Sequence, residues 1–128
     1  MGVSDRVTLA GPFGGDDAID AVIARHCLFG LSSLFEGLPL AILHAIARGR
    51  VMVATDVGGA PEILEPSGAG LLVPAADPRA MAGAFETLID DPALVLRMSE
   101  AAVATFRQRF HPDRVLPQLI AFYREIRA

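Results

Sequence analysis

The chain has 128 residues, enough for one small domain, with 52% hydrophobic residues, a mean hydropathy of +0.44 and a net charge of −4. No broad basic field exists for nucleic acid, and all 11 basic residues are arginine, so a phosphate loop or phospho-receiver site that depends on lysine is excluded. Cys27 is the single cysteine, which removes an internal disulfide and multi-cysteine zinc sites, and His26, His44 and His111 have no metal-ligand spacing.

In chain order, Arg6–Ala10 ("RVTLA") predicts a short strand closed by the "GPFGG" loop. Gly11, Gly14 and Gly15 in that loop read as an ordinary turn. Asp16–Arg25 opens on acids, as the first turn of a helix favours, and carries Ile19, Val22 and Ile23 at helical spacing. Leu28–Leu31 predicts a second strand. Pro39–Arg48 predicts a helix with proline in its first turn and Gly49 ending it. The stretch Cys27–Ala47 is long enough to span a membrane, but Glu36, Pro39, Gly30 and the pair Ser32–Ser33 argue against it; an acid near the centre of such a helix costs about 2.5–3.5 kcal/mol.

Val51–Thr55 ("VMVAT") has no alternation, which predicts a strand buried on both faces. "DVGGAPEILE" predicts a glycine turn into a short helix, with Glu62 as an acid near its start. Gly70–Val73 predicts a fourth strand, stopped by Pro74. Three helices follow over Pro78–Asp90, Pro92–Phe110 and Pro112–Arg127, and Pro117 is expected to kink or delay the last. Phe85, Leu88 and Ile89 are expected in the core, and Arg107, Arg109 and Arg114 on a solvated face.

Strand–helix alternation with buried strands predicts an α/β, Rossmann-like parallel sheet of about four strands with flanking helices and a helical C-terminal extension, over a single domain 1–128. Ligands of such sheets sit beyond the carboxyl ends of the strands, at helix N-termini. Here "SSLFEGLP" holds the clearest candidates. The start of the helix over 39–48 directs free N–H groups outward, Glu36 stands just before it, and His44 lies roughly 7 Å further along its axis. That spacing suits a nucleotide sugar. Left to themselves, these residues keep simpler readings open: a dipole-facing acid at Glu36, a half-exposed helical histidine at His44, a positive-φ turn at Gly58–Gly59 and a capping acid at Glu62.

The segment "SLFEGLPLAILHAIARGRVMVATDVGGAPEILEPSGAGLLVPAADPRAMAGAFETLIDDP" resembles the carboxyl-terminal, donor-binding domain of the GT-B retaining glycosyltransferases of the family 4 type, the group 1 glycosyl transferases. The likeness runs from "RVTLAGP" to "FYREI" and rests on the order of an E-x7-E motif, a "DVGG-PE" turn, a "G-GLLV" strand and a "DP" helix start. It implies transfer of a sugar from a nucleoside diphosphate to a hydroxyl acceptor (a glycan, a lipid or a small molecule) with retention. No metal or other cofactor is implied. Glu36 matches the first acid of E-x7-E, at the donor sugar, and is the implied catalytic residue. Gly37, Leu38, Pro39 and Leu40 match the backbone against sugar and diphosphate, and Gly58 and Gly59 match a turn lining the same cleft.

At the second acid of the motif, which in the family grips both ribose hydroxyls, this chain has His44. A neutral imidazole offers one acceptor nitrogen where a carboxylate can serve both hydroxyls. The family's arginine–lysine diphosphate clamp and its acceptor-binding domain lie upstream of the matching region. A helix dipole contributes about 0.3–1 kcal/mol and each charge-assisted hydrogen bond about 1.5–3 kcal/mol, against about 8 kcal/mol for micromolar binding. The expectation is therefore part of a donor site, inactive alone and completed by an N-terminal domain or partner chain over its apolar edge. The alternative is a non-catalytic remnant serving as an interaction or binding module. With no basic-then-apolar signal pattern, the expected location is the cytoplasm, either free or peripheral at the inner membrane face.

Overall fold

In a computed structural model describing residues 2–12 and 15–127, helices and strands alternate through the first part of the chain and helices close it. The order is α1 (Asp16–Arg25), β1 (Leu28–Leu31), α2 (Leu40–Ala47), β2 (Val51–Thr55), α3 (Ala60–Leu64), β3 (Gly70–Val73), α4 (Pro78–Asp90), α5 (Pro92–Thr105) and α6 (Pro112–Glu125), with a π-helical turn over Phe106–Phe110 before α6.

The three strands form one parallel sheet in the order β1-β2-β3. Leu28 to Leu31 pair with Val51 to Ala54, and Met52 to Thr55 pair with Gly70 to Val73. All five residues of β2 are buried, as its unbroken apolar run requires of a central strand. Alternation then divides its side chains. Met52 and Ala54 join Ile42 and Ile46 of α2, Ile63 and Leu64 of α3 and Ala102 of α5 on one face. Val51 and Val53 join Val73 and Leu88, under α4, on the other.

The helix boundaries follow local chemistry. Asp77 accepts from the N–H groups of Arg79 and Ala80 at 3.0 and 2.9 Å, and Asp91 from that of Leu94 at 2.8 Å, each just before a proline that has no N–H to satisfy. Gly49, at φ 66°, takes the left-handed turn that ends α2.

Three expectations need correction. The fourth strand, Arg6–Ala10, does not form: among the described residues the sheet has three strands, Arg6 N–H closes a turn onto Val3 O at 2.9 Å, and Val7 and Leu9 are 56% and 94% exposed. Apolar alternation becomes a strand only where a ladder partner and a covering layer exist, and this segment meets neither. Phe13 and Gly14 of its closing loop lie outside the described residues. Ile89 is 65% exposed beside fully buried Leu88, because α4 turns only one stripe to the sheet. Pro117 does not delay α6, which starts at Pro112 and runs through it: the carbonyl the proline leaves unpaired is on an exposed helix, where water can serve it. Among the described residues no helix is long and apolar enough to cross a membrane.

Candidate functional site

The site residues lie at the carboxyl ends of β1 and β2, where a parallel sheet opens its loops to solvent. Glu36 sits in the loop between β1 and α2, half-buried, with Oε1 accepting a 2.6 Å hydrogen bond from Ser33 Oγ. Ser33 is itself held by the sheet. Thr55, at the end of β2 and 3% exposed, donates its hydroxyl to Ser33 O at 2.6 Å. A buried hydroxyl on the central strand thus fixes the serine that fixes the acid. Ser33 and Thr55 were not among the candidates from sequence. The Ser33-x-x-Glu36 spacing was the available signal, since a serine three residues before an acid is a familiar partner at helix starts.

The turn after β2 locks the same loop from the other side. Gly59 N–H donates to Gly37 O at 2.7 Å. Gly58 has φ 55°, and a Cβ there would lie 2.1 Å from Glu36 O and 2.9 Å from Gly37 O. At Gly59 a Cβ would meet Gly37 O at 2.9 Å and Leu38 Cδ1 at 3.1 Å. Both glycines therefore let one backbone lie against another, a stricter requirement than a turn alone. Glu36, Gly37, Leu38, Gly58 and Gly59 form one cluster.

Helix α2 begins at Leu40, with buried Pro39 as the flanking residue. No side chain caps this start and no acid lies in its first turn. Ile42 N–H reaches Pro39 O at 3.1 Å, so the N–H groups of Leu40 and Ala41 carry the positive end of the helix outward. Leu38 and Leu40 are exposed beside them.

His44 is half-buried on the face of α2 that also bears Leu40, Leu43 and Ala47. These residues, with Asp20 of α1, Arg48 and Phe106, line a groove of about 320 Å³. Glu36 is not among its lining residues, so the structure brings Leu40 and His44 together in this groove and places the Glu36 cluster just before the helix that leads into it. Arg48 pairs with Asp20 across the groove. Away from the site, Glu62 is exposed near the start of α3, and its carbonyl accepts from Arg109 at 2.9 Å. Arg109 also stands 5.0 Å over the Phe110 ring, so this arginine is tied to the fold rather than only solvated.

Chemically, the arrangement offers an anchored carboxylate, two outward amides at a helix start, and a groove with one imidazole, one carboxylate and apolar walls. The family model for glycosyl transferases group 1 matches residues 1–91. An alpha-D-kanosaminyltransferase of Streptomyces kanamyceticus is 36% identical over 98% of this chain and 32% of its own length. Among solved structures, a sucrose-phosphate synthase of Thermosynechococcus elongatus superposes with a TM-score of 0.87 at 28% identity, over 97% of this chain and 31% of that one. Anabaena HepE, in complex with UDP and glucose, gives a TM-score of 0.79 at 25% identity, over 84% of this chain and 30% of that one. The chain spans about a third of the length of these relatives.

Proposed function

The chain belongs to the group 1 glycosyl transferases, and from that premise we propose that it supplies the donor side of a transferase that moves a sugar from a nucleoside diphosphate to a hydroxyl acceptor with retention of configuration. The observation that carries this reading is the Glu36 carboxylate, held 2.6 Å from Ser33 Oγ at the rim of an uncapped helix start. An anchored acceptor oriented before the substrate arrives suits sugar hydroxyls, which donate, and loses little on binding. The Leu40 and Ala41 amides and the α2 dipole favour a diphosphate and the charge that develops on it as the glycosidic bond breaks. That the HepE structure holds UDP and glucose supports a nucleotide sugar as the donor class.

Amide chemical shifts of the isotopically labelled chain, followed during titration with UDP- and GDP-sugars at millimolar concentration, test the reading. Shifts are expected at Gly37, Leu38, Leu40, Ala41, Gly58 and Gly59, with a smaller response in Glu36→Gln. A flat response to both nucleotides would refute it.

A second reading, an interaction module without turnover, draws on α6. Val115, Leu116, Leu119, Phe122 and Tyr123 are all exposed on a helix that packs mainly on the π-helical turn. An unpartnered apolar face of this extent marks a contact surface. If neither the wild-type chain nor His44→Glu responds to any nucleotide sugar, while Phe122→Ser abolishes self-association or capture of a partner domain, this reading replaces the first.

A further inference from the structure

The groove beside His44 contains a second candidate for gripping a pair of ring hydroxyls. Asp20 projects from α1 toward α2, and its Oδ2 is paired with Arg48 Nη2. Arg48 follows His44 by one helical turn and directs Nη1 at His44 O, at 3.4 Å. The guanidinium is therefore tied to the helix that carries the imidazole while it holds the carboxylate across the groove. Among the described residues Asp20 Oδ1 accepts no hydrogen bond, and the Asp20 side chain remains 40% exposed. The groove is thus lined by a carboxylate with one oxygen left without a hydrogen bond and by an imidazole, and Leu40, Leu43, Ala47 and Phe106 supply apolar surface.

A vicinal diol presents two donors within one bond of each other, and the imidazole alone can accept from only one. A carboxylate held at a fixed place can accept from the second hydroxyl or from both. The volume, about 320 Å³, falls at the small end of ligand pockets, the size range that takes a nucleoside portion rather than a whole nucleotide sugar. We infer that Asp20, held by Arg48, is the ribose-recognising carboxylate of this chain, facing His44 across the groove. The inference rests on the donor-site reading above and assigns to α1 a contact that the α2 side chain at position 44 cannot complete alone.

The test compares UDP and GDP with their 2′-deoxy counterparts, titrated against the 128-residue chain and against Asp20→Asn, with affinities read from amide shifts. The asparagine keeps the shape of the side chain, and an exposed ion pair contributes little to folding, so the variant remains folded. In the wild type, the ribonucleotide is expected to bind about tenfold or more tightly than the 2′-deoxynucleotide, the size of one hydrogen bond to a charged acceptor. In Asp20→Asn that ratio falls toward one, chiefly through weaker binding of the ribonucleotide. If Gly37, Leu40 and Ala41 respond in the wild type but Asp20→Asn keeps the full ratio, the inference is overturned and the donor-site reading stands. If no amide of the wild-type chain responds to any of the four nucleotides, both fall together.

Discussion

Gly58→Ala is the most informative single change, because it strikes the contact between the two loops that build the site. Two costs can be separated. The left-handed backbone, φ 55°, disfavours any residue with a Cβ by about 1–2 kcal/mol. The new methyl would also sit 2.1 Å from Glu36 O and 2.6 Å from Glu36 C, far inside contact distance, and both atoms are backbone. The loops must part, which stretches or breaks the 2.7 Å hydrogen bond from Gly59 N–H to Gly37 O and forfeits about 0.5–1.5 kcal/mol. Together these terms give a loss of about 1.5–3.5 kcal/mol. Gly68→Ala isolates the first cost, since φ there is 62° with open space around the would-be Cβ, and should lose about 1–2 kcal/mol. Gly37→Ala, at ordinary φ and with nothing within 4 Å, should be close to neutral. Urea denaturation followed by circular dichroism measures all three. A Gly58→Ala loss no greater than that of Gly68→Ala would show that the loops do not bear on each other as described.

Other expectations concern the supports of the same site. Thr55→Val leaves Ser33 O without its buried donor and should cost about 1–3 kcal/mol in urea melts, together with broadened amide signals from Ser33 to Gly37. Asp77→Ala removes the cap on two N–H groups of α4 and should cost about 1 kcal/mol, with Asp77→Asn recovering most of it. Leu88→Ala, in the core beneath α4, should cost about 2–5 kcal/mol in the same melts. Ile89→Ala, next along the helix and exposed, should change stability by less than about 0.5 kcal/mol.

Much of the architecture was legible from residue order. The strand over Val51–Thr55 announced its central position by lacking alternation, and each of α4, α5 and α6 announced its start by a proline in the first turn. These are local matters of periodicity and missing N–H groups. The segment Arg6–Ala10 carried a comparable apolar signal and formed no strand, because pairing depends on what lies alongside and not on the segment itself. Glu36 stood out through its position before a helix, and Gly58 and Gly59 through adjacency in a turn. Their mutual contact did not, since nothing in either stretch names the other as its neighbour.

Local chemistry by itself determined the parallel α/β plan, the helix boundaries and the outward helix start beside an acid, because capping, turn geometry and side-chain period act within a few residues. Tertiary structure alone decided that Thr55 holds Ser33 and through it Glu36, that two glycines clamp the loop bearing that acid, and that Asp20 meets Arg48 across the groove of His44. Apart from the local Ser33–Glu36 contact, those pairs lie between 20 and 30 residues apart, and only packing of the layers brings them within the 3 Å or so over which a hydrogen bond or a steric contact acts.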